Sequence, residues 1–203
     1  EKHILPKVRI GMKESYLAAE VFYQGLKHGA EGCVFPPIIL SGARSSLIHG
    51  EASSKRIEAG DILQFDIGYA YQGYCSDLSR VVFVAREPDE MQRRIYEIVL
   101  TAQEKAIQAV NPGIRCFDLD KIARDVVREA VKDLPVADKE DGFSHGLGHG
   151  IGIWVHTFPR VSIFSPDKEE TLQVGNVFTV EPGVYIPGWG GMRLEDVVLV
   201  TKD

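Results

Sequence analysis

Two acidic side chains stand where their neighbours in sequence offer them no water. Asp66 lies within GDILQFDIGY (residues 60–69) and Glu181 within GNVFTVEPGV (residues 175–184), both apolar runs of strand character. A lone carboxylate in such a run loses several kcal/mol of hydration and tends to take up a proton. A pair of them calls for a cation. A second acid follows each: Asp77 in CSDLSR, eleven residues after Asp66, and Glu195 in MRLEDVVLV, fourteen after Glu181. Alternation along a strand sets Asp66 on one face with Ile62, Gln64 and Gly68, and Glu195 on one face with Arg193, while Asp196 points the other way. The simplest alternative is neutralisation by Arg80 and Arg193, but two guanidiniums cannot neutralise four carboxylates. Four of the six histidines lie in glycine-rich, polar-poor surroundings: His145, His149 and His156 in SHGLGHGIGIWVH, and His49 in LIHGE. Gly146, Gly148, Gly150 and Gly152 permit close backbone approach, as metal and substrate sites often need. The HxxxH spacing matches the zinc-protease helix, but Gly146 stands where HEXXH carries Glu and glycines disfavour a helix, so that reading is rejected. Four carboxylates and one imidazole suit two divalent ions. Carboxylate-rich ligation points to Mn²⁺, with Co²⁺, Fe²⁺ or Zn²⁺ as alternatives. Two such ions about 3.5–4 Å apart can present one hydroxide at neutral pH, and the expected chemistry is hydrolysis at a carbonyl.

The elements that must position these groups are readable in outline. The two apolar runs align at an offset of 115 residues, with Gly60 on Gly175, Gly68 on Gly183 and Asp66 on Glu181. Each half thus offers a ribbon with one carboxylate per strand, and a pseudo-two-fold pairing would bring four together. Residues 14–28 read as an amphipathic helix with Leu17, Val21 and Phe22 at helical spacing and Gly29 as its stop. A longer helix is expected from Pro88 to Val110, ended by Asn111-Pro112-Gly113. Another is expected from Phe117 to Leu134, with Leu119, Ile122, Val126, Val127 and Ala130 on one face. Strands are expected within 61–84, near 176–186 and near 192–200. Trp154 and Trp189 read as core residues, Trp189 alternatively as pocket rim. The whole is one α+β domain, residues 1–203.

Composition narrows the classes. The chain has 203 residues, 44% hydrophobic and 26% charged, with a net charge of −6. That is ordinary globular composition, and the charge is opposite in sign to that of a general nucleic-acid binder. Cys33, Cys75 and Cys116 are odd in number and far apart, which fits a reducing, cytoplasmic compartment and three buried small hydrophobes. No membrane span is expected: the longest uncharged stretch, Gly142 to Pro159, holds three His and five Gly. The start, EKHILPKVRI, has no apolar segment of signal-peptide type.

Taken together, SGARSSLIHG, FDIGYAYQGYCSDLSR, HGLGHGIGIWVH, VFTVEPGVYIPG and MRLEDVVLV resemble the metallopeptidase family of methionine aminopeptidases, Xaa-Pro aminopeptidases and prolidases. The resemblance runs from about Gly11 to Thr201, and five motifs in the right order are specific where any one is weak. It implies the pita-bread fold: a curved antiparallel sheet with pseudo-two-fold symmetry and flanking helices. It implies metal ligation by Asp66, Asp77, His149, Glu181 and Glu195. By the same resemblance His49, His145 and His156 line the substrate site, with His49 and His156 touching the substrate carbonyl and departing amine, and Glu181 accepts the nucleophile's proton. Arg193 counts among the substrate-binding candidates, although orienting a ligand carboxylate is the better role for it. HGLGH and EPGVYIPG…RLED are similar to the Xaa-Pro aminopeptidase and prolidase branch, whose substrate is a peptide with proline after its N-terminal residue. Thr157-Phe158 and Ala43–Ser46 depart from that branch's pattern at the substrate rim. An N-terminal domain that shapes the pocket and the homodimer is usual in the branch and absent from this chain, which reads as the catalytic half. The rival readings are a methionine aminopeptidase-like enzyme or a non-peptide C–N hydrolase or lyase of the same fold. From another class, the rival is a non-catalytic module that binds peptides or proteins.

Overall fold

The structure is a computed structural model, and it describes residues 2–136 and 143–202. In chain order it comprises α1 (Glu14–Lys27), β1 (Gly32–Cys33), β2 (Ile38–Ser41), β3 (Ile62–Ile67), β4 (Tyr69–Tyr71), β5 (Tyr74–Cys75) and β6 (Leu78–Phe83). Then follow α2 (Glu90–Ala109), α3 (Cys116–Ala130), β7 (Gly148–Gly150), β8 (Thr157–Val161), β9 (Val177–Val180), β10 (Gly183–Ile186), β11 (Gly190–Arg193) and β12 (Asp196–Leu199).

The sequence repeat becomes a repeat of topology. One antiparallel sheet runs β2-β3-β6, and the other runs β7-β9-β12 with β8 added at its edge. β3 and β9 are the central strands of the two triplets and carry the two aligned runs. Phe65 pairs with Arg80 in the first sheet, and its repeat counterpart Val180 pairs with Asp196 in the second. Those two partners reach each other: Arg80 Nη2 lies 2.6 Å from Asp196 Oδ1. The small sheet β1-β4-β5 and the hairpin β10-β11 complete the β structure.

Alternation on β3 divides its side chains between two cores. Leu63 and Phe65 pack with Leu17, Val21, Ile39 and Ile57 beneath α1. Ile62 faces the larger core of Ile95, Val99, Ala102, Leu119, Ala123, Val127, Phe178 and Met192, where α2 packs on α3. Asp66 therefore shares the Ile62 face, as period two requires. α1 starts where expected, α2 starts two residues later than expected, and α3 starts one residue earlier and ends four residues short. Pro88 precedes α2 rather than opening it. Asp89 caps the helix, its carboxylate accepting the Gln92 N–H at 2.8 Å while Gln92 Oε1 accepts the Asp89 N–H at 3.0 Å. Phe22, expected on the core face of α1, is 45% exposed. Trp154, expected in the core, is 74% exposed, whereas Trp189 packs on the larger core. Of the three thiols only Cys116 is fully buried.

Two departures from the expected strands matter for the site. The runs near 176–186 and 192–200 are each broken, at Glu181-Pro182 and at Leu194-Glu195. Pro182 has no N–H for a ladder, so the pairing hands over from β9–β12 to β10–β11 at that point. Glu181 and Glu195 sit in the gaps, at strand ends rather than within strands. On the first half, Glu14 is buried in the opening turn of α1. Its carboxylate accepts from the N–H and Oγ of both Ser41 and Ser53, and from Arg44 Nε at 3.1 Å. Burial pushes this carboxyl upward, but the Ser53 and Ser41 hydrogen bonds outweigh it and hold the group below its ordinary value. The segment bearing His49 is thereby anchored at both ends.

Gly148 and Gly150 flank His149 on β7, and each lets another backbone close in. A Cβ at Gly148 would stand 1.8 Å from the Thr179 carbonyl oxygen, and one at Gly150 would stand 2.0 Å from that of Phe158, whereas Gly152 faces open space. Gly148→Ala is expected to cost about 1–3 kcal/mol by forcing β7 from β9. Gly152→Ala should stay within about 0.5 kcal/mol. Urea unfolding of the two variants checks this contrast.

Candidate metal centre

The five acid and imidazole candidates come from both halves of the fold. Asp66 projects from β3, and Asp77 stands immediately before β6. His149 is the middle residue of β7, Glu181 follows β9 and Glu195 precedes β12. A register shift between His149 and Gly150 marks a bulge against β8, a device that re-aims a side chain. Ligand-type atoms of Asp77, His149 and Glu195 all lie within 4.8 Å of one another. His149 Nε2 is 3.4 Å from Glu181 Oε1 and 3.8 Å from Asp77 Oδ2.

Asp66 is tied into the same group through Arg193, whose Nη2 is 2.5 Å from Asp66 Oδ2 and whose Nε is 3.8 Å from Glu181 Oε2. Arg193 is 3% exposed and its donors are spent inside the protein. Nη1 donates to Tyr185 Oη and the Ile48 carbonyl, and Nε donates to Ser79 Oγ. It lines the cavity, but its geometry is that of a group orienting Asp66, not of one reaching for a ligand. Arg80, the other expected partner for the acids, pairs with Asp196 and donates to the Glu195 main-chain carbonyl at 2.6 Å.

The electrostatics of this cluster follow from burial with too little positive charge. Burial, then the charges of Glu195 and Asp66, push Asp77 up to about 9. Burial also pushes Glu181 up to about 8, with Arg193 opposing and Asp77 and Asp66 adding to the rise. Glu195 is driven well above the carboxylate range by burial and by Glu181 and Asp66, although Ser79 Oγ donates to it at 2.9 Å. Asp66 Oδ1 and Asp77 Oδ1 are buried with no hydrogen-bond partner among the described residues. Burial lowers His149, so its imidazole is neutral. Its Nδ1 is 3.1 Å from the Gly150 carbonyl, which can only accept, so the proton sits on Nδ1. Nε2 then presents a lone pair to the carboxylates of Glu181 and Asp77. A neutral ring nitrogen facing carboxyl groups, with two orphaned carboxylate oxygens beside them, fits divalent cations that would displace the carboxyl protons. The residues present therefore match the metal that the sequence calls for.

The other histidines separate by environment. His49 and His156 are exposed on the wall of a cavity of about 940 Å³ that also contains Asp66, Asp77, His149, Glu181 and Glu195. The His156 ring stands edge-on to His149 at 4.4 Å. His145 lines the same cavity, but both its nitrogens are engaged: Nδ1 with the Gly146 carbonyl at 2.8 Å, and Nε2 with Tyr185 Oη at 2.9 Å. Burial, reinforced by Arg193, depresses it to about 3. Tyr185 thus links Arg193 to His145, a role that no spacing in the sequence reveals. Thr179 and Ser79 were equally unreadable. Thr179 Oγ1 accepts the His149 N–H at 3.0 Å and donates to Glu181 Oε1 at 3.2 Å. Gln64 holds the Arg193 backbone, accepting its N–H at 2.8 Å and donating to its carbonyl at 3.2 Å.

A buried carboxylate cluster with one neutral imidazole, shared by two pseudo-symmetric half-sheets, defines a class, and comparison with known proteins agrees. Residues 2–202 match metallopeptidase family M24, and the chain belongs to that family. It is 46% identical over 199 residues to a Xaa-Pro dipeptidase of Pyrococcus horikoshii, covering 98% of this chain and 54% of that protein. Among solved structures it superimposes on the prolidase from Pyrococcus furiosus with a TM-score of 0.88 at 44% identity, over all of this chain and 57% of that one. The X-Pro aminopeptidase from Thermotoga maritima gives 0.88 at 40% identity, over 98% of this chain and 53% of that one. The fold is the pita-bread fold of this family, and the chain spans about half the length of the relatives it matches.

Two consequences of the trapped protons are measurable. Ion uptake must displace them, so apparent Mn²⁺ affinity should climb as the pH rises toward 9, with proton release near pH 7. Titration calorimetry in buffers of different ionisation heat checks this. The native metal-free state keeps protons on Asp77 and Glu181 that the unfolded chain loses near pH 4. Its stability should therefore fall as the pH rises from about 4 through the raised values of about 8 and about 9. Asp77→Asn should raise the urea midpoint of the metal-free protein at pH 8 while removing Mn²⁺ binding.

Proposed function

We propose that this chain carries the catalytic machinery of a dinuclear metal-dependent peptidase that cuts between an N-terminal residue and proline. The observation that carries the reading is the convergence of Asp77, His149, Glu195 and Glu181 on one cavity with an unmatched excess of negative charge. The names of the relatives, Xaa-Pro dipeptidase, prolidase and X-Pro aminopeptidase, supply the substrate class. Asp66, Asp77, His149, Glu181 and Glu195 would hold two divalent ions, with Mn²⁺ favoured by so many carboxylate donors. When bound, such ions supply Lewis acidity for the scissile carbonyl and a water acidic enough to react at neutral pH.

The chain's own residues supply the rest. Glu181, beside His149 and hydrogen-bonded by Thr179 Oγ1, is placed to accept a proton from the reacting water once cations have displaced its own, and to pass it to a departing amine. His49 and His156, exposed on the cavity wall, are placed to donate to a substrate carbonyl and to meet the leaving nitrogen. Phe35, Pro36, Pro37 and Ile38 form an apolar wall against which a pyrrolidine ring would pack. Arg193 acts through Asp66, holding its carboxylate in place. Three free thiols support a reducing compartment, the cytoplasm, and no helix among the described residues is long and apolar enough to cross a membrane.

Asp77→Asn and His149→Ala should each remove bound metal and lower kcat/KM on a Xaa-Pro dipeptide by about 10³-fold or more, the loss of several kcal/mol of charge stabilisation. Metal content by elemental analysis and turnover of Xaa-Pro against Xaa-Ala dipeptides check this. A metal-free variant that retains turnover defeats the mechanism, and equal turnover of the two dipeptides defeats the substrate class.

A further inference from the structure

We propose that the buried ion pair Asp120–Arg124 on α3 is a positioning device for the metal centre, acting through the backbone of the segment that bears His145 and His149. The inference rests on the assignment of His149 and Glu181 as metal ligands. The pair is out of water, Asp120 being 0% and Arg124 2% exposed; Arg124 binds the segment 143–145, and Asp120 binds residue 147 and the turn after β8. Arg124 Nε donates to Asp120 Oδ1, and Nη2 also lies 3.3 Å from Asp120 Oδ2. The guanidinium also reaches main chain: Nη1 donates to the Phe143 carbonyl and Nη2 to the His145 carbonyl. Its plane is packed by the rings of Phe143 and Phe164, at 4.1 and 4.7 Å from their centroids.

Asp120 completes the grip from the other side. Its Oδ2 accepts the N–H of Leu147 at 3.0 Å and that of Ile163 at 3.1 Å. The carbonyl of Leu147 in turn accepts the N–H of Glu181 at 2.8 Å. One residue, Leu147, therefore separates a carboxylate on α3 from a candidate ligand at the end of β9, and His149 is two residues further along the chain. The segment is too rich in glycine to hold its own shape, since Gly146, Gly148 and Gly150 fall within five residues. A salt bridge alone would not need this geometry. A buried pair is weak support for stability, whereas a planar fork that reaches a carboxylate and two carbonyls at once fixes orientation, and only arginine offers it.

The test uses Arg124→Lys, Arg124→Gln and Asp120→Asn in the protein, with Mn²⁺ as the probe read by electron paramagnetic resonance. Lysine keeps the charge beside Asp120 but cannot span both carbonyls. All folded variants are expected to lose 10- to 100-fold in Mn²⁺ affinity, as for groups that orient ligands. kcat should fall more than KM changes, and the Leu147 and Glu181 amides should exchange faster than any change in global stability explains. If Asp120→Asn does not fold, Arg124→Lys carries the test. Folded variants that bind Mn²⁺ within about 3-fold of the parent, with unaltered amide exchange, would make the pair merely structural and overturn the proposal, as would full rescue by lysine. A parent protein that takes up no Mn²⁺ defeats the ligand assignment instead, and the exchange of the Leu147 and Glu181 amides then decides whether the anchor exists.

Discussion

Negative charge held in a dry place with one arginine among it is the constraint on which the rest of this structure depends. Asp66, Asp77 and Glu195 are nearly out of solvent, Glu181 is half-buried, and Arg193 is the one arginine among the described residues whose side chain reaches their carboxyl groups. Without a cation the cluster resolves the conflict by keeping protons, as the raised values of Asp77 and Glu181 show. A stable protein would ordinarily avoid such an arrangement, and sites that violate local rules of burial are where function resides. The strand breaks at Pro182 and before Glu195, the bulge at His149 and the glycines beside it all keep these groups facing one another.

The pseudo-two-fold supplies the frame, and departures from it supply the chemistry. Phe65 and Val180 are equivalent, their partners Arg80 and Asp196 are equivalent, and those partners join the halves. Asp66 and Glu181 follow this symmetry, but the second acids do not: Asp77 lies three residues before Arg80, and Glu195 one residue before Asp196. Gln64 and Thr179 occupy matching positions yet serve differently. Gln64 secures the Arg193 backbone, whereas Thr179 joins His149 to Glu181. An imidazole reaches the cluster from the second half, on β7. Two like frames with unlike inserts make a concave site in which one half contributes oxygen donors and the other oxygen donors with nitrogen.

Much of this was legible in the chain because burial leaves a mark on periodicity. Apolar spacing located α1, α2 and α3 to within a few residues, and alternation placed Asp66 on the face with Ile62. The misreadings share one cause: local pattern reports amphipathicity but not which surfaces meet. Phe22 sits at helical spacing with Leu17 and Val21 but lies outside their stripe and is exposed. Trp154 has apolar neighbours in sequence yet is 74% exposed. The strands around Glu181 and Glu195 looked continuous because a handover of ladder partners changes nothing in the order of residues.

The sequence by itself determined which groups could bind metal, since acids set in apolar strands and histidines set among glycines carry their chemistry in their type and immediate neighbours. It determined the duplicated frame as well, because a repeat is a property of order. Tertiary structure alone decided which groups act on which. That Arg193 serves Asp66 while Arg80 serves Asp196, that Tyr185 closes on His145, and that Asp120 and Arg124 grip the segment before His149 are contacts between residues distant in the chain. Their energies depend on separation in space and on the water excluded between them, and neither quantity is written in spacing along a strand.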